Sequence, residues 1–146
     1  MSKRINILQL EPTFVKGMLG LEAYMGASGI SKLHYELIKI RASQINGCAY
    51  CLNMHTKDAR KLGESEQRIN TLSAWRDTSF FSDEERAILA LTEEVTLINN
   101  RVSDTTYNEA ARLFDEHYLA KVIIAITIIN AWNRVSVCTG MEPEKD

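Results

Sequence analysis

Apolar residues along this chain recur at the three- and four-residue spacing of helices. No segment sustains the two-residue alternation of a half-buried strand. A first helix follows Pro12 and runs to about Met25, with Phe14, Met18, Leu21 and Met25 on one stripe. Proline suits a first helical turn because its missing N–H would be unpaired there in any case. Gly26, Ser28 and Gly29 break the pattern, and Ser31 is placed to cap a second helix carrying Leu33, Leu37, Ile40 and Ile45. Asn46-Gly47 marks a turn. A third helix runs from about Cys48 to Leu62, with Gly63 where a left-handed residue commonly ends a helix. A short helix over about 65–72 leads into a connection holding Trp75, Phe80 and Phe81. Ser82 to Glu85 spell a capping box, and the helix they open is striped by Ile88, Leu91, Val95 and Ile98. Ser103 caps a helix to about Phe114. The last helix spans about Tyr118 to Cys138, and Gly140 stops it. The pattern predicts an all-α fold of six to seven helices, with residues 1–146 forming one domain free of repeats and linkers.

The last helix is apolar on more than one face: Val122, Ile126 and Ile129 form one stripe, Ile124 and Ile128 another. Such a helix must be covered all round. A chain of 146 residues has little else to cover it with, so a homo-oligomer that buries part of this helix is expected. The competing reading is a central helix wrapped by its own neighbours. The uninterrupted apolar run, 122–126, is flanked by Lys121, Asn130, Asn133 and Arg134. It falls well short of the roughly 20 residues a bilayer requires, which predicts a buried helix and no membrane partner. Residues 1–10 are interrupted by Asn6 and Gln9 and contain no signal-peptide core, so a cytoplasmic location is expected.

Composition narrows the classes further. Hydrophobic residues make up 45%, which excludes a chain too polar to fold. Lys and Arg number 17 against 19 Asp and Glu, for a net charge of −2; with no basic excess, nucleic acid is not an expected partner. No proline stands between Pro12 and Pro143, which favours long helices. The 3 cysteines are an odd number with two close together, unlike a disulfide-stapled secreted domain.

Chemistry concentrates in Cys48-Ala-Tyr-Cys51-Leu-Asn-Met-His55. On a helix, residues three, four and seven apart share a face, so both thiols and the imidazole line one stripe. Cys48 sits at the helix start, where unpaired N–H groups and the dipole stabilise an anion. His55 lies one turn beyond Cys51 and can take its proton. An ordinary thiol has a pKa of about 8.5, and these influences lower it. Cys51 is assigned as nucleophile, His55 as its base and Cys48 as the resolving thiol. The dipole argues for Cys48 as attacker and the histidine for Cys51, so the order stays open at this point. Competing readings are a zinc site with a remote fourth ligand and a pair of small core cysteines. Neither a metal nor an organic cofactor is expected.

Ser43-Gln-Ile-Asn-Gly-Cys48-Ala-Tyr-Cys51 with His55, continuing through Thr56-Lys-Asp-Ala-Arg-Lys-Leu-Gly63, resembles the signature of the AhpD-like alkylhydroperoxidases of the carboxymuconolactone decarboxylase superfamily. Asn130-Ala-Trp-Asn-Arg134 resembles the family's C-terminal helix, and the similarity spans about residues 10–138. The decarboxylase branch lacks the cysteine pair, so the resemblance points to the peroxidase branch. It implies a relay of Glu36, Cys48, Cys51 and His55, the glutamate standing twelve residues before the first cysteine. Taken alone, Glu36 also reads as a surface carboxylate paired with Lys32 or Lys39. The family's peroxidase pattern has a second histidine just before the second cysteine. Tyr50 stands there, and a tyrosine is a poor base at neutral pH. The resemblance further implies a helical homo-oligomer, a trimer or hexamer, and reduction by an external dithiol such as a lipoyl group or a thioredoxin-like protein.

The expected activity is reduction of an organic hydroperoxide through a Cys48–Cys51 disulfide. Alternatives are a general disulfide oxidoreductase or redox sensor, and an oligomeric binding module with incidental cysteines. His34 reads as a helix-surface or interface residue and His117 as a turn residue before the last helix. Cys138 reads as structural. Trp75, Trp132, Phe80 and Phe81 read as core, interface or pocket wall.

Overall fold

The computed structural model describes residues 4–145; residues 1–3, the start of the N-terminal stretch read above, and residue 146 lie outside the described residues. The helices are α1 (Ile7–Leu10), α2 (Pro12–Ala27), α3 (Lys32–Asn46), α4 (Ala49–Lys61), α5 (Glu66–Thr71), α6 (Asp83–Thr96), α7 (Asp104–Leu113) and α8 (Glu116–Thr139). Short 3₁₀ turns cover Leu72–Asp77 and Ile98–Asn100. Among the described residues there are eight α-helices and no strand, so the all-α expectation holds while the count of six to seven does not. The added helix is α1, four residues opened by Asn6, whose side chain accepts the Gln9 N–H. Four residues are too few for an apolar period to register.

Capping explains where most elements begin. Ser31, Ser65, Ser82, Ser103 and Asp115 each accept a backbone N–H from the first turn they precede. Ser82 and Glu85 complete the reciprocal capping box. Because Asp115 is the cap, α8 starts at Glu116, and His117 lies in its first turn rather than in the preceding connection. Gly47 (φ 65°) and Gly140 (φ 66°) close α3 and α8 in left-handed conformation, where a side chain would be strained.

The third helix is the hub, packing chiefly on α4, α8 and α6. Ile38 and Ala42 face a core completed by Met25, Ile88, Leu91, Val122, Ile126 and Ile129. Leu37 and Ile40 face a second cluster with Ala59, Leu72, Trp75, Phe81 and Leu89. Leu37 is fully buried, and truncating such a residue to alanine costs about 2–5 kcal/mol.

Three stripes differ from expectation. On α2, Met18 and Met25 are buried, but Phe14 and Leu21 are 39% and 43% exposed. Ile98 leaves the α6 stripe for a 3₁₀ turn and is exposed. On α8, Ile128 is buried and Ile124 packs half-buried against the same core, so neighbouring helices cover most of what seemed to need a partner. On α8 Val137 stays exposed, and the first two helices leave Leu10, Leu19, Leu21 and Tyr24 uncovered. By length and composition alone α8 matches a membrane-crossing helix, but Val122, Ala125, Ile126 and Ile129 make it the core helix of this bundle.

Candidate functional site

The turn between α3 and α4 sets the sulfur geometry. Gly47 reverses the chain, and the Cys48 N–H bonds to the Ser43 carbonyl at 3.0 Å. Cys48 is extended and caps α4, its Sγ accepting the Cys51 N–H at 3.3 Å. Cys48 and Cys51 are joined as a disulfide, with Cα atoms 5.4 Å apart. Both residues are buried, at 1% and 3% exposure. The turn is pinned to α8 by amides: Asn46 Nδ2 donates to Asn130 Oδ1 and Asn133 Oδ1, both at 2.9 Å, and Asn133 Nδ2 donates to Ser43 Oγ at 3.0 Å. Asn130 and Asn133 of the C-terminal segment therefore position the site rather than react in it.

Glu36 on α3 faces His55 on α4, with Oε2 3.2 Å from Nδ1. Both atoms are buried, and neither has an aligned hydrogen bond. They are close enough to share a proton but are not locked by it. The other oxygen, Oε1, pairs with Lys39 Nζ at 2.7 Å, so Glu36 both faces the histidine and takes the lysine partner weighed for it. Lys39 Nζ also lies 3.9 Å above the Tyr35 ring. Tyr35 donates to Glu22 Oε2 at 2.7 Å, and Trp132 Nε1 donates to Glu22 Oε1 at 3.1 Å. Burial, reinforced by the Glu22 carboxylate, pushes the Tyr35 phenol far above its ordinary range and keeps it a donor.

A cavity of about 430 Å³ opens on this cluster. Its walls, mostly apolar, include Leu8 and Leu19 from the first two helices, Tyr50, Cys51, Met54 and His55 from α4, and Trp132 and Ser136 from α8. Cys51 lines it and Cys48 does not. Cys51 Sγ also lies 3.8 Å from Ser136 Oγ. Of the aromatic residues weighed as pocket wall, Trp132 takes that role. Trp75 and Phe81 belong to the second core, and Phe80 is 39% exposed. Cys138 is a free, exposed thiol. His34 on α3 meets α8, its Nδ1 2.7 Å from the Tyr118 hydroxyl.

The cysteines belong to no ligand cluster among the described residues. Glu36, His55 and Asp58 do bring ligand atoms within 4.8 Å of one another. Lys39 and Lys61, the latter 2.9 Å from Asp58, already supply positive charge to both carboxylates, which weighs against a cation there. Glu22, Tyr35 and Ser136 carry no motif, and their place at the site follows from helix packing alone.

A model of the carboxymuconolactone decarboxylase family matches residues 12–94. An uncharacterized protein of Bacillus subtilis (strain 168), YdfG, is 45% identical over 96% of this chain and 96% of its own. The crystal structure of ATU0492 from Agrobacterium tumefaciens, a protein of unknown function associated in name with the antioxidant defence protein AhpD, superposes with a TM-score of 0.95. It is 36% identical and covers 99% of this chain and 100% of its own. An alkyl hydroperoxide reductase AhpD of Gluconacetobacter diazotrophicus is 38% identical over 47 residues, 32% of this chain and 26% of that protein.

Proposed function

The chain belongs to the carboxymuconolactone decarboxylase family and has an AhpD-like fold, and we propose that it is a thiol-dependent alkyl hydroperoxide reductase acting through Glu36, Cys48, Cys51 and His55. One observation carries the reading: the Cys48–Cys51 pair presents only Cys51 to an apolar cavity that also holds His55, with Glu36 behind the imidazole. Access through a cavity, with both sulfurs otherwise buried, suits a small organic oxidant. It suits a protein disulfide less well, and so weighs against a general disulfide oxidoreductase.

His55, oriented by Glu36, takes the Cys51 proton. The thiolate attacks the outer peroxide oxygen: an S–O bond forms, the O–O bond breaks, and the alkoxide leaves with the electron pair. His55 returns the proton to the alkoxide, giving the alcohol and a sulfenic acid on Cys51. The Cys48 thiolate then attacks that sulfur, expelling hydroxide, which leaves as water once protonated. An external dithiol, lipoyl or thioredoxin-like, restores both thiols by exchange. Tyr50 at the cavity wall stands where the family's pattern has a second histidine, and the relay runs on His55 as its one imidazole. The cycle suits a reducing, cytoplasmic compartment. The apolar surface of α1 and α2 supports assembly into a homo-oligomer, and the family resemblance implies a trimer or hexamer. The chain functions as one domain in this reading.

The deciding experiment is brief exposure of the reduced protein to an organic hydroperoxide, followed by alkylation and mass spectrometry. The expected result is fast loss of two hydrogens mapped to a Cys48–Cys51 disulfide, with Cys48→Ser accumulating a sulfenic acid on Cys51. Sulfenic acid in Cys51→Ser instead would reverse the two roles. Thiols that stay reduced for many minutes would sink the reading.

A further inference from the structure

Both sulfurs need a stabilised anion, yet the fold provides for them differently. Cys48 sits at the α4 N-terminus, and its sulfur receives the Cys51 N–H. Cys51 lies inside the first turn, where it has no such amide of its own helix to call on. A hydroxyl from another helix meets it instead. Ser136 is buried at 3% exposure, with Oγ 3.8 Å from Cys51 Sγ. This orientation is not the habit of helical hydroxyls in this protein. Thr56, Thr71, Thr92, Thr127 and Thr139 all turn back to the carbonyl four residues earlier. Ser136 turns toward the sulfur. Its helix cannot drift, because Asn133, one turn earlier, is bonded to Asn46 and Ser43 beside Cys48. The hydroxyl is therefore held in place before any substrate arrives.

We propose that Ser136 is a catalytic residue of this site: its hydroxyl donates a hydrogen bond to the Cys51 thiolate, holding that sulfur anionic and aimed into the cavity. This rests on Cys51 being the sulfur that meets peroxide. No atom is transferred by Ser136, which keeps its proton throughout. In the disulfide the contact is weak. On reduction the sulfur becomes an anion, and the same contact becomes a charge-assisted hydrogen bond, the stronger kind. Ser136 thereby supplies to Cys51 what the helix terminus supplies to Cys48.

The test titrates the Cys51 thiolate by its ultraviolet absorbance in the reduced Cys48→Ser protein, where serine preserves the helix cap. Ser136→Ala is expected to raise the Cys51 pKa by about one unit, leaving roughly tenfold less thiolate near neutral pH. Ser136→Thr, which keeps the hydroxyl, is expected to titrate like the parent. Ser136→Val, close to threonine in shape, is expected to titrate like Ser136→Ala, so the comparison survives if one variant folds poorly. Identical titration curves for Ser136→Thr and Ser136→Val would overturn the proposal. A shift that depends on the hydroxyl in a protein that no hydroperoxide oxidises would leave the role of Ser136 standing and remove the peroxidase reading. Fast oxidation with no dependence on the hydroxyl would do the reverse.

Discussion

Glu85, Glu93 and Glu36 are all largely buried carboxylates in one helical bundle, but their oxygens are treated in opposite ways. Glu85 receives Arg68 on both oxygens and the Ser82 amide on one. Glu93 receives Arg41 and Trp75 on one oxygen and Arg76 on the other. Burial pushes each carboxyl up. For Glu85 the Arg68 guanidinium and the Ser82 amide outweigh it; for Glu93 the bonds from Arg76, Trp75 and Arg41 do. Both are held below the usual carboxylate range. Glu36 is bonded on one side only; its Oε2 and the facing His55 Nδ1 stay buried without an aligned partner. A saturated buried carboxylate has nowhere to accept a proton cheaply, so it serves as a fixed strut. Glu36 keeps one oxygen unbonded toward an imidazole 3.2 Å away. Buried polar groups are normally satisfied, and this exception falls at the site proposed for the chemistry.

The strongest way to break this contrast is at the imidazole. His55→Asn is expected to slow peroxide-driven oxidation of Cys51 by about 10²–10⁴-fold, the usual worth of a general base. Stopped-flow oxidation would show it, and thermal melting should be almost unchanged. A rate within threefold of the parent would remove His55 from the chemistry. At the strut end the effect should fall on stability instead. Arg68→Met leaves the buried Glu64 and Glu85 without their guanidinium. Removing one partner of a buried pair costs about 3–5 kcal/mol. Arg68 keeps some exposure, so a loss of about 2–3 kcal/mol in urea unfolding is expected, with the oxidation rate of the folded protein unaltered. An activity loss without a stability loss would erase the distinction between the two ends.

A milder test is acid. Because the folded pKa values of Glu85 and Glu93 are depressed, their stabilising effect is full above the unfolded carboxylate value of about 4.3. It is lost as pH falls through the folded values. Unfolding free energy measured below about pH 4.5 should therefore fall steeply in the parent and less steeply in Arg68→Met. The smallest expected effect is at His34. Burial lowers its pKa against the pull of Glu85 and Glu84. The neutral ring is favoured in the fold, and stability present above about pH 6.5 declines as pH falls below it. His34→Asn should flatten the melting-temperature slope over that interval and leave neutral pH nearly untouched.

Much of this was legible in the residues. Serine caps, the Ser82–Glu85 box and the glycine stops are local devices, read from neighbours within four positions. Seven of the eight helices follow from them and from apolar spacing; α1 was missed because four residues hold no period. The placing of Cys51 and His55 on one face follows from helical geometry and needs no fold, whereas Cys48 stands outside α4 as its extended cap and does not share the cavity. The exposure of Phe14 and Leu21 could not be foreseen, because apolar spacing says which residues share a face and not whether anything covers it. For the same reason the apolar faces of α8 do not by themselves say whether neighbouring helices or a second chain covers them; within the chain, neighbours bury Ile126, Ile128 and Ile129.

By itself, then, the sequence determined seven of the eight helices, the caps at Ser31, Ser82 and Ser103, and the pairing of Cys51 with His55 one turn apart, since all of these are set by interactions within a turn or two of chain. The tertiary structure alone decided which sulfur faces a cavity, that Glu36 stays half-bonded between Lys39 and His55, and that Ser136 points at Cys51. Those facts depend on how α3, α4 and α8 cross. Residues more than 80 positions apart meet there through packing and a few buried amides, and no local rule encodes them.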